Sequence, residues 1–184
     1  SQQHNDSVPT YLKSKAINPD STVNVIIEIP AGTNQKWEVN KDTGEIEWEI
    51  KDGKKRVVNY LPYPVNYGMI PFTLLPQDKG GDGDPLDIIV LGPAIERGKV
   101  VQAKILGVLY LIDENEIDHK LIAAPVNSEL FNAHNIKELD EKYPGVLTII
   151  QTWFSSYKGK GKLSSKGYGS RSEALKILKQ ALVK

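Results

Sequence analysis

Four aspartates fall within ten residues of the stretch QDKGGDGDPLDIIVLGP, residues 77 to 93. Asp78 precedes the hexapeptide DGDPLD, which contains Asp82, Asp84 and Asp87. Carboxylates crowded this closely repel one another and gain nothing for folding. Because Asp87 leads directly into an apolar run, a buried carboxylate without a partner would be costly there. The cluster therefore predicts that positive charge is bound at this loop.

Three kinds of structure are alternatives for this cluster. A solvated turn is the first, since Asp and Gly are ordinary turn residues, but the apolar run after Leu86 weakens it. An EF-hand calcium loop is the second, and its spacing fails: counted from Asp82, Asp87 takes the glycine position and Pro93 the final glutamate position. The third is a divalent-metal site for phosphoryl chemistry, where two ions share one carboxylate and another acid accepts a proton. The sequence favours the third.

A metal–phosphate site needs further acids and cations from other segments. Alternate residues of a strand share a face, so Lys36 and Glu38 can point to one site, as can Asp118 and Lys120. Glu28 interrupts the apolar run VIIEIP, which is an unusual place for a carboxylate without a partner. For each of these side chains a solvated strand face is the ordinary alternative.

Tyrosines and a basic loop supply candidate phosphate donors. The segment YLPYPVNYGMIP includes Tyr63 and Tyr67, and a tyrosine hydroxyl can donate to phosphate, although packing is the ordinary role. Tyr157 and Lys158 open the basic run YKGKGK, which would otherwise be interpreted as a surface loop.

Strands must position most of these residues. The segment KWEVNKDTGEIEWEI (36–50) alternates on both sides of Asp42-Thr43-Gly44, which predicts a hairpin. Runs rich in β-branched residues predict four further strands. These are STVNVIIEIP (21–30), DIIVLGP (87–93), KVVQAKILGVLYLID (99–113) and HKLIAAPV (119–126).

Helical patterns occur only in the last third of the chain. Pro144 precedes a periodic segment that ends near Tyr157, and a shorter helix is predicted within residues 127–142. In SRSEALKILKQALVK, the spacing of Ser170 and Glu173 predicts a capping box, followed by an apolar stripe of Leu175, Leu178 and Leu182. Strands followed by helices predict an α+β fold, mainly β, with a small barrel or strongly curved sheet flanked by helices.

Composition places the chain among globular proteins and excludes several functions. Its 184 residues fit a single domain, and 23 basic against 23 acidic side chains give no footprint for nucleic acid or an anionic membrane. The absence of cysteine excludes disulfides, thiolate metal sites and a cysteine nucleophile. No apolar run is long enough for a transmembrane helix. Residues 1–20 are polar and carry Pro9 and Pro19, which predicts a flexible arm before a domain at 21–184.

The sequence resembles the soluble inorganic pyrophosphatases of family I. Their signature Asp-x-Asp-Pro-x-Asp matches DGDPLD, and the resemblance runs from VIIEIP to WFSSYKGKGK with segment order and spacing in agreement. It implies a five-stranded OB-like β-barrel flanked by two or three α-helices. It also implies Mg²⁺-dependent hydrolysis of pyrophosphate to two phosphates by a metal-activated hydroxide, an inorganic diphosphatase activity.

The resemblance assigns roles to the matching positions. Asp84 would be the general base, and Asp87 would bridge two activating Mg²⁺ ions. The implied cofactor is roughly three or four Mg²⁺ per substrate-loaded site, with Mn²⁺ or Zn²⁺ as substitutes. The implied metal-site residues are Asp82, Asp87, Asp113, Asp118 and Glu28. The implied substrate contacts are Lys36, Arg56, Tyr67, Lys120, Tyr157 and Lys158, with Glu38 and Tyr63 completing the pocket.

The sequence departs from the bacterial pattern at one position. In those relatives an active-site arginine lies eight residues before the tyrosine that matches Tyr63, and this spacing falls on Lys55. Arg56 is one residue nearer, so its assignment requires a one-residue deletion. We assign the role to Arg56 because a guanidinium binds phosphate bidentately whereas lysine is a point charge.

Alternative functions follow from the same resemblance. An OB-like barrel can bind oligonucleotides, but that role needs a basic groove with stacking aromatics, whereas this chain is neutral and its distinctive loop acidic. An inactive structural subunit is disfavoured because every acidic ligand position is filled, and activity on other polyphosphates with Mn²⁺ or Zn²⁺ stays open. Family members of this short length resemble the prokaryotic hexamers more than the longer eukaryotic dimers, so the resemblance favours a homohexamer. We expect a cytoplasmic protein. Because the sequence begins without methionine, we also expect that a segment has been removed, and an exported or lipid-anchored form tethered by the arm is the alternative.

Overall fold

The structure of the protein is a computed structural model that describes residues 14–183. The predicted flexible arm comprises residues 1–20, and its first 13 residues lie outside the described residues. From residue 16 the chain is attached to the first strand: the carbonyl of Ala16 accepts a hydrogen bond from Asn24 N–H at 3.1 Å, and Ile17 forms an antiparallel bridge with Val23.

The described residues include eleven strands and three α-helices, and the helices lie towards the end of the chain. The long strands are β1 (Val23–Ile29), β6 (Asn66–Met69), β7 (Asp87–Val90), β8 (Val100–Asp113), β10 (Lys120–Pro125) and β11 (Leu163–Gly169). The short strands are β2 (Trp37–Val39), β3 (Ile46–Trp48), β4 (Ile50–Lys51), β5 (Lys54–Lys55) and β9 (Glu116–Ile117). The helices are α1 (Ile136–Lys142), α2 (Val146–Ser156) and α3 (Arg171–Ala181).

Five strands close into a barrel. Hydrogen-bonded neighbours follow the order β1–β6–β7–β10–β8, and β8 pairs back with β1. The β7–β10 pair is parallel, and the other pairs in the ring are antiparallel. At 14 residues, β8 is long enough to pair with β1, β10, β9 and β11 in turn. The predicted α+β fold with a five-stranded OB-like barrel is confirmed.

Hydrophobic clusters on both faces of the sheet explain why its strands are almost continuously apolar. Ile89 and Leu91 of the β7 segment pack with α1 and α2, through residues such as Leu139 and Phe154. Alternate residues, Ile88 and Val90, pack with α3 through Ala174, Leu178 and Ala181. This period of two is the geometry of a strand buried on both sides.

Helix ends follow the predicted local signals. Ser170 accepts from Glu173 N–H while the Glu173 carboxylate accepts from Ser170 N–H, which confirms the capping box of α3. The predicted apolar stripe of α3 is wrong at one position: Leu182 lies beyond the helix, is 37% exposed and bridges to Thr73. The small Ala181 takes the buried position instead, because the helix ends one residue too early for Leu182 to join the stripe.

Two long strands have no counterpart among the predicted elements. β6 lies within the segment rich in proline and tyrosine, and β11 separates α2 from α3. The expected order of strands followed only by helices is therefore wrong at β11. Among the helices of the described residues, none has the length and apolar character needed to cross a membrane.

Candidate active site

The aspartate loop joins β6 to β7 and is folded back upon itself. Leu75 N–H donates to the carbonyl of Asp84 at 2.8 Å, and Gly83 N–H donates to the carbonyl of Leu75 at 2.9 Å. Gly83 has a φ of +75°, a backbone conformation that favours glycine. The Asp82 carboxylate accepts from Asp84 N–H at 2.9 Å. These bonds hold Asp82 and Asp84 beside each other, and Asp87 follows as the first residue of β7.

The loop forms part of a cavity of about 480 Å³. Ten of the fourteen predicted site residues line it, although they come from six separate segments of the chain. They are Glu28, Lys36, Glu38, Arg56, Asp82, Asp84, Asp87, Asp113, Asp118 and Lys158. Of the other four, Lys120, Tyr67 and Tyr157 contact lining residues, namely Asp87, Lys36 and Lys158. Tyr63 packs against Tyr67 and Tyr157.

Lys120 is the central cation beneath the cavity. Its side chain is 3% exposed, and its ammonium group lies 2.9 Å from the Asp87 carboxylate and 2.9 Å from the Asp118 carboxylate. Burial opposes the charge on Lys120, but Asp118 and Asp87 outweigh it and hold its pKa well above the usual value. The predicted shared face of Asp118 and Lys120 is confirmed. Lys120 thus fixes two aspartates, one from β7 and one beside β10, at the barrel end.

Tyrosine rings form the layer under these charges. The Tyr67 ring centroid lies 5.2 Å from Lys120 Nζ and 5.6 Å from Lys36 Nζ, and the Tyr63 ring packs 5.5 Å from it. Tyr157 stacks on Trp153 with ring centroids 4.7 Å apart. Burial raises the pKa of Tyr63, Tyr67 and Tyr157, so their hydroxyls are neutral donors at neutral pH.

The acids of the cavity outnumber its cations. Eleven carboxylates and four cationic side chains line it. Burial, followed by repulsion from Asp84, Asp87 and Asp118, raises the pKa of Asp82. Burial also raises the pKa of Asp118, against the opposing effect of Lys120. The count of charged groups therefore leaves the cavity with net negative charge, and burial is the main reason that these two carboxyls hold protons more tightly than usual.

Glu28 is a buried carboxylate in the wall formed by β1. Its side chain accepts a hydrogen bond from Val39 N–H at 2.7 Å, which ties β1 to the β2–β3 hairpin. Burial raises the pKa of Glu28 to about 8, although Lys36 favours its ionised form. A group with this pKa ionises readily when a further cation approaches.

The two exposed loops at the cavity carry lysine–aspartate pairs. Lys41, in the β2–β3 turn, lies 3.6 Å from the Asp84 carboxylate, and both side chains are more than half exposed. Lys158, just after α2, forms a short ion pair with Asp113 at the end of β8. Asp84 and Asp113 are therefore each paired with one lysine.

Arg56 and Lys55 differ in where they lie. The Arg56 guanidinium lines the cavity and makes a two-oxygen contact with Glu49, at 3.1 and 3.2 Å. Trp48 Nε1–H donates to the Arg56 carbonyl at 2.8 Å. Lys55 is not among the residues that line the cavity; its ammonium group lies 4.8 Å above the Trp48 ring.

Sequence reasoning missed five charged residues that line the cavity. They are Lys41, Asp42, Glu47, Glu49 and Glu116. Two of these residues could have been recognised from the sequence. Glu47 and Glu49 alternate along the strand opposite Lys36 and Glu38, and Glu47 pairs directly with Glu38. Since like charges opposite each other destabilise a hairpin, this pairing indicates a cation requirement on the same face.

The donor set fits hard divalent cations. Its acidic groups offer only oxygen ligands, which suit Mg²⁺ rather than soft metals, and eleven carboxylates face only four cationic side chains in the cavity. Within residues 14–183, no three acidic or histidine side chains stand as a ready-made metal cluster. The aspartates instead contact Lys41, Lys120 and Lys158.

Comparison with known proteins identifies the family. The profile of the inorganic pyrophosphatase family matches residues 25–184. The chain is 39% identical over 167 residues to the inorganic pyrophosphatase of Drosophila melanogaster, covering 82% of this chain and 48% of the relative. It is 33% identical over 162 residues to that of Helicobacter pylori, covering 86% and 88%.

Solved structures agree with this match. The type I inorganic pyrophosphatase of Toxoplasma gondii superposes with a TM-score of 0.83 at 27% identity, covering 89% of this chain and 79% of that one. The chain spans about half the length of the fly and yeast relatives but 88% of the Helicobacter pylori one. Over nearly its whole described length, this chain belongs to the inorganic pyrophosphatase family.

Proposed function

We propose that this chain hydrolyses inorganic pyrophosphate to two phosphates in a Mg²⁺-dependent reaction with an aspartate general base. The main observation in support is the cavity, in which aspartates from β7, β8 and the β9–β10 connection meet cations from other segments. The names of the relatives support the same substrate. The base of a nucleotide or the ring of an aryl phosphate is favoured by an apolar or aromatic wall, whereas charged side chains dominate the lining of this cavity.

The proposed cofactor is Mg²⁺, roughly three or four ions when substrate is bound, with Mn²⁺ or Zn²⁺ as substitutes. Asp82, Asp87 and Asp118 would hold two ions, with Asp87 between them, and Asp113 and Glu28 would hold a further ion. When bound, these ions neutralise substrate charge and lower the pKa of a coordinated water. Among the carboxylates that would hold these ions, three now contact Lys120 or Lys158, and part of these contacts would be given up on binding.

The chain's own cations would bind the substrate. Pyrophosphate is strongly anionic, so binding requires charge neutralisation before water can attack. Lys36, Arg56 and Lys158 line the cavity, and the buried Lys120 adds a fixed positive charge beneath it. Arg56 offers a planar fork of donors, held by Glu49, that suits two phosphoryl oxygens. The same donors stabilise charge on the departing phosphate.

Neutral hydroxyls complete the proposed substrate contacts. Tyr67 and Tyr157 keep their protons because burial raises the pKa of both groups, so each can donate to phosphate without adding negative charge. Tyr63 supports the Tyr67 ring from the core, and Glu38 lines the same cavity wall as Lys36.

Asp84 is the proposed general base. Its carboxylate is 61% exposed at the cavity, and its backbone is fixed by the bonds to Leu75 and Asp82. It does not make the close buried contacts with Lys120 that hold Asp87 and Asp118. A carboxylate oxygen of Asp84 can therefore accept a proton from the attacking water. General-base catalysis of this kind contributes roughly 10²–10⁴-fold.

The direct test is phosphate release from pyrophosphate in the presence of Mg²⁺ and, separately, of EDTA. ATP and p-nitrophenyl phosphate serve as control substrates. We expect rapid Mg²⁺-dependent release from pyrophosphate and little from the controls. Equal release from p-nitrophenyl phosphate would indicate a general phosphatase, and no release with any divalent metal would contradict the proposed reaction.

We also propose a homohexamer and a cytoplasmic location, with residues 1–20 as a polar arm before the catalytic domain. The resemblance to short family members supports the assembly. One yeast relative is named as mitochondrial, so family membership alone does not determine the compartment. Sedimentation at micromolar concentration tests the assembly: a monomer or dimer there would contradict the hexamer.

A further inference from the structure

A second cavity, of about 370 Å³, adjoins the candidate active site. Three side chains line both cavities: Arg56, Asp113 and Lys158. Two of these are proposed substrate contacts. A ligand bound against Arg56 and Lys158 in the first cavity therefore touches side chains that also line the second.

The two cavities have opposite charge balance. Four cations, Lys51, Arg56, Lys158 and Lys162, line the second cavity, against two acids. Both acids are already paired with cations of the same set: Asp113 with Lys158, and Glu114 with Lys162 at 3.1 Å. The active-site cavity instead has eleven carboxylates and four cations. An anionic group without metal ions is therefore favoured in the second cavity and disfavoured in the first.

The β4–β5 hairpin brings unfavourable like charges to the rim of the second cavity. Lys51 and Lys54 are directly opposite each other in this two-stranded sheet, and both are exposed. Such a pair destabilises a hairpin. Lys51 is the member that lines the cavity. An anion bound beside Lys51 would offset this repulsion.

The loop after α2 supplies the facing wall. Gly159 and Gly161 have φ values of +101° and +78°, and this backbone conformation lets the loop turn sharply between Lys158 and Lys162. Glu114 N–H donates to the carbonyl of Lys162 at 3.2 Å, which attaches the loop to the end of β8. The Tyr157 side chain also lines the cavity and adds a neutral donor.

We propose that the second cavity binds the third phosphoryl group of a linear polyphosphate whose first two groups occupy the candidate active site. This inference rests on the proposed function, since it takes Arg56 and Lys158 as contacts of the reacting phosphoryl groups. The next phosphoryl group along the chain is one P–O–P link away, and it would lie against the lining of the adjoining cavity, which includes Lys51 and Lys162. The ligand class is therefore inorganic polyphosphate of three or more units.

Calorimetric titration with non-hydrolysable imido analogues tests the subsite in the presence of Mg²⁺. The ligands are imidodiphosphate, diimidotriphosphate and inorganic phosphate. The variant is Lys51→Met with Lys162→Met. The matched control is Lys176→Met with Lys179→Met, which removes two exposed lysines of α3 that line neither cavity. Thermal unfolding of all three proteins confirms that the variants are folded.

The K51M/K162M variant should bind diimidotriphosphate roughly five- to tenfold more weakly, as expected for the loss of two exposed charge contacts. Imidodiphosphate binding should change less than about twofold, and the control should match the unaltered protein. Equal loss for both analogues, no loss, or the same loss in the control would overturn the subsite.

Titration with inorganic phosphate distinguishes a subsite for polyphosphate from a site for free phosphate. If K51M/K162M weakens phosphate binding as much as diimidotriphosphate binding, the cavity is a site for free phosphate and the polyphosphate inference fails. Phosphate release from pyrophosphate is measured on the same three proteins. Its absence in all of them would defeat the proposed function, whereas the preference between the two analogues would still report on the second cavity.

Discussion

Two lysine–aspartate contacts in the same cavity differ sharply in burial. Lys120 is 3% exposed and lies 2.9 Å from both Asp87 and Asp118, whereas Lys41 is 52% exposed and lies 3.6 Å from Asp84. Lys120 belongs to a barrel strand paired on both sides, and Lys41 belongs to the turn of a two-stranded hairpin. The buried contact fixes the position of two carboxylates. The exposed contact leaves the proposed base free to exchange partners.

Burial also decides what each contact contributes. A buried charge that loses its partner remains in a low-dielectric environment, and the penalty is large. An exposed pair is screened by water and contributes little. The comparison therefore predicts a steep gradient of mutational effects across a single cavity, from Lys120 at its base to Lys41 at its mouth.

Lys120→Met should have the largest effect. It leaves Asp87 and Asp118, which are only 26% and 15% exposed, without their shared cation. We expect a loss of about 3–5 kcal/mol in the free energy of unfolding, measured by urea denaturation in EDTA, together with loss of pyrophosphate hydrolysis. Lys162→Met is the control, since it removes one member of an exposed pair and should cost less than about 1 kcal/mol. If both variants lose the same free energy of unfolding, the buried and exposed contacts do not differ in their contribution to stability.

Asp84→Asn should separate catalysis from stability. The side chain is exposed and its backbone contacts do not depend on charge, so stability should change by less than about 0.5 kcal/mol. Loss of the proposed base should lower kcat by roughly 10²–10⁴-fold. Stopped-time phosphate release with Mg²⁺ measures this. An unchanged kcat would remove Asp84 from the base role.

Strands and helices were predictable from the sequence where a local pattern of residues is enough to specify them. β1, β8 and the β2–β3 hairpin follow from β-branched runs and alternation about Asp42-Thr43-Gly44, and α3 follows from its capping box. β11 was not predictable, because LSSKGYG is mostly small and polar, with only Leu163 and Gly169 buried. Its strand conformation comes from the edge of β8, with which it pairs. Tertiary pairing therefore decides that element.

The candidate site shows the same limit. Spacing in DGDPLD and the alternation of Asp118 with Lys120 indicate which residues share a face. The positions of Lys41 and Glu116 depend on how two hairpins fold over the end of the barrel, which no local pattern encodes. The contact of Arg56 with Glu49 likewise joins the residue just after β5 to the residue between β3 and β4. Sequence patterns therefore identified the acidic core of the cavity better than its rim.

Glu28→Gln should give an intermediate effect that depends on pH. The folded protein raises the pKa of Glu28 from 4.5 to about 8 because the group is buried. Between those values the folded state binds more protons than the unfolded state, so this group's stabilising contribution is full below pH 4.5 and is lost as pH rises to about 8. The loss by pH 7 is on the order of 3 kcal/mol.

Glutamine is isosteric and neutral, and it can still accept the hydrogen bond from Val39 N–H. In EDTA, Glu28→Gln should therefore become more stable relative to the unaltered protein as pH rises from 5 to 8. Urea unfolding at several pH values measures the difference. Parallel pH profiles for the two proteins would show that Glu28 is already ionised in the folded state.

Lys41→Met should have the smallest effect. The pair with Asp84 is exposed on both sides and longer than a hydrogen bond, so its removal should cost less than about 0.5 kcal/mol in stability. If Lys41 only screens the proposed base, kcat/KM should change less than about threefold, and added salt should abolish that change. Lys79→Met controls for net charge, since it removes an exposed lysine from the β6–β7 loop that carries Asp84. A hundredfold loss in Lys41→Met alone would make Lys41 a participant in substrate binding, and the division between a fixed base of the cavity and an adaptable mouth would then fail.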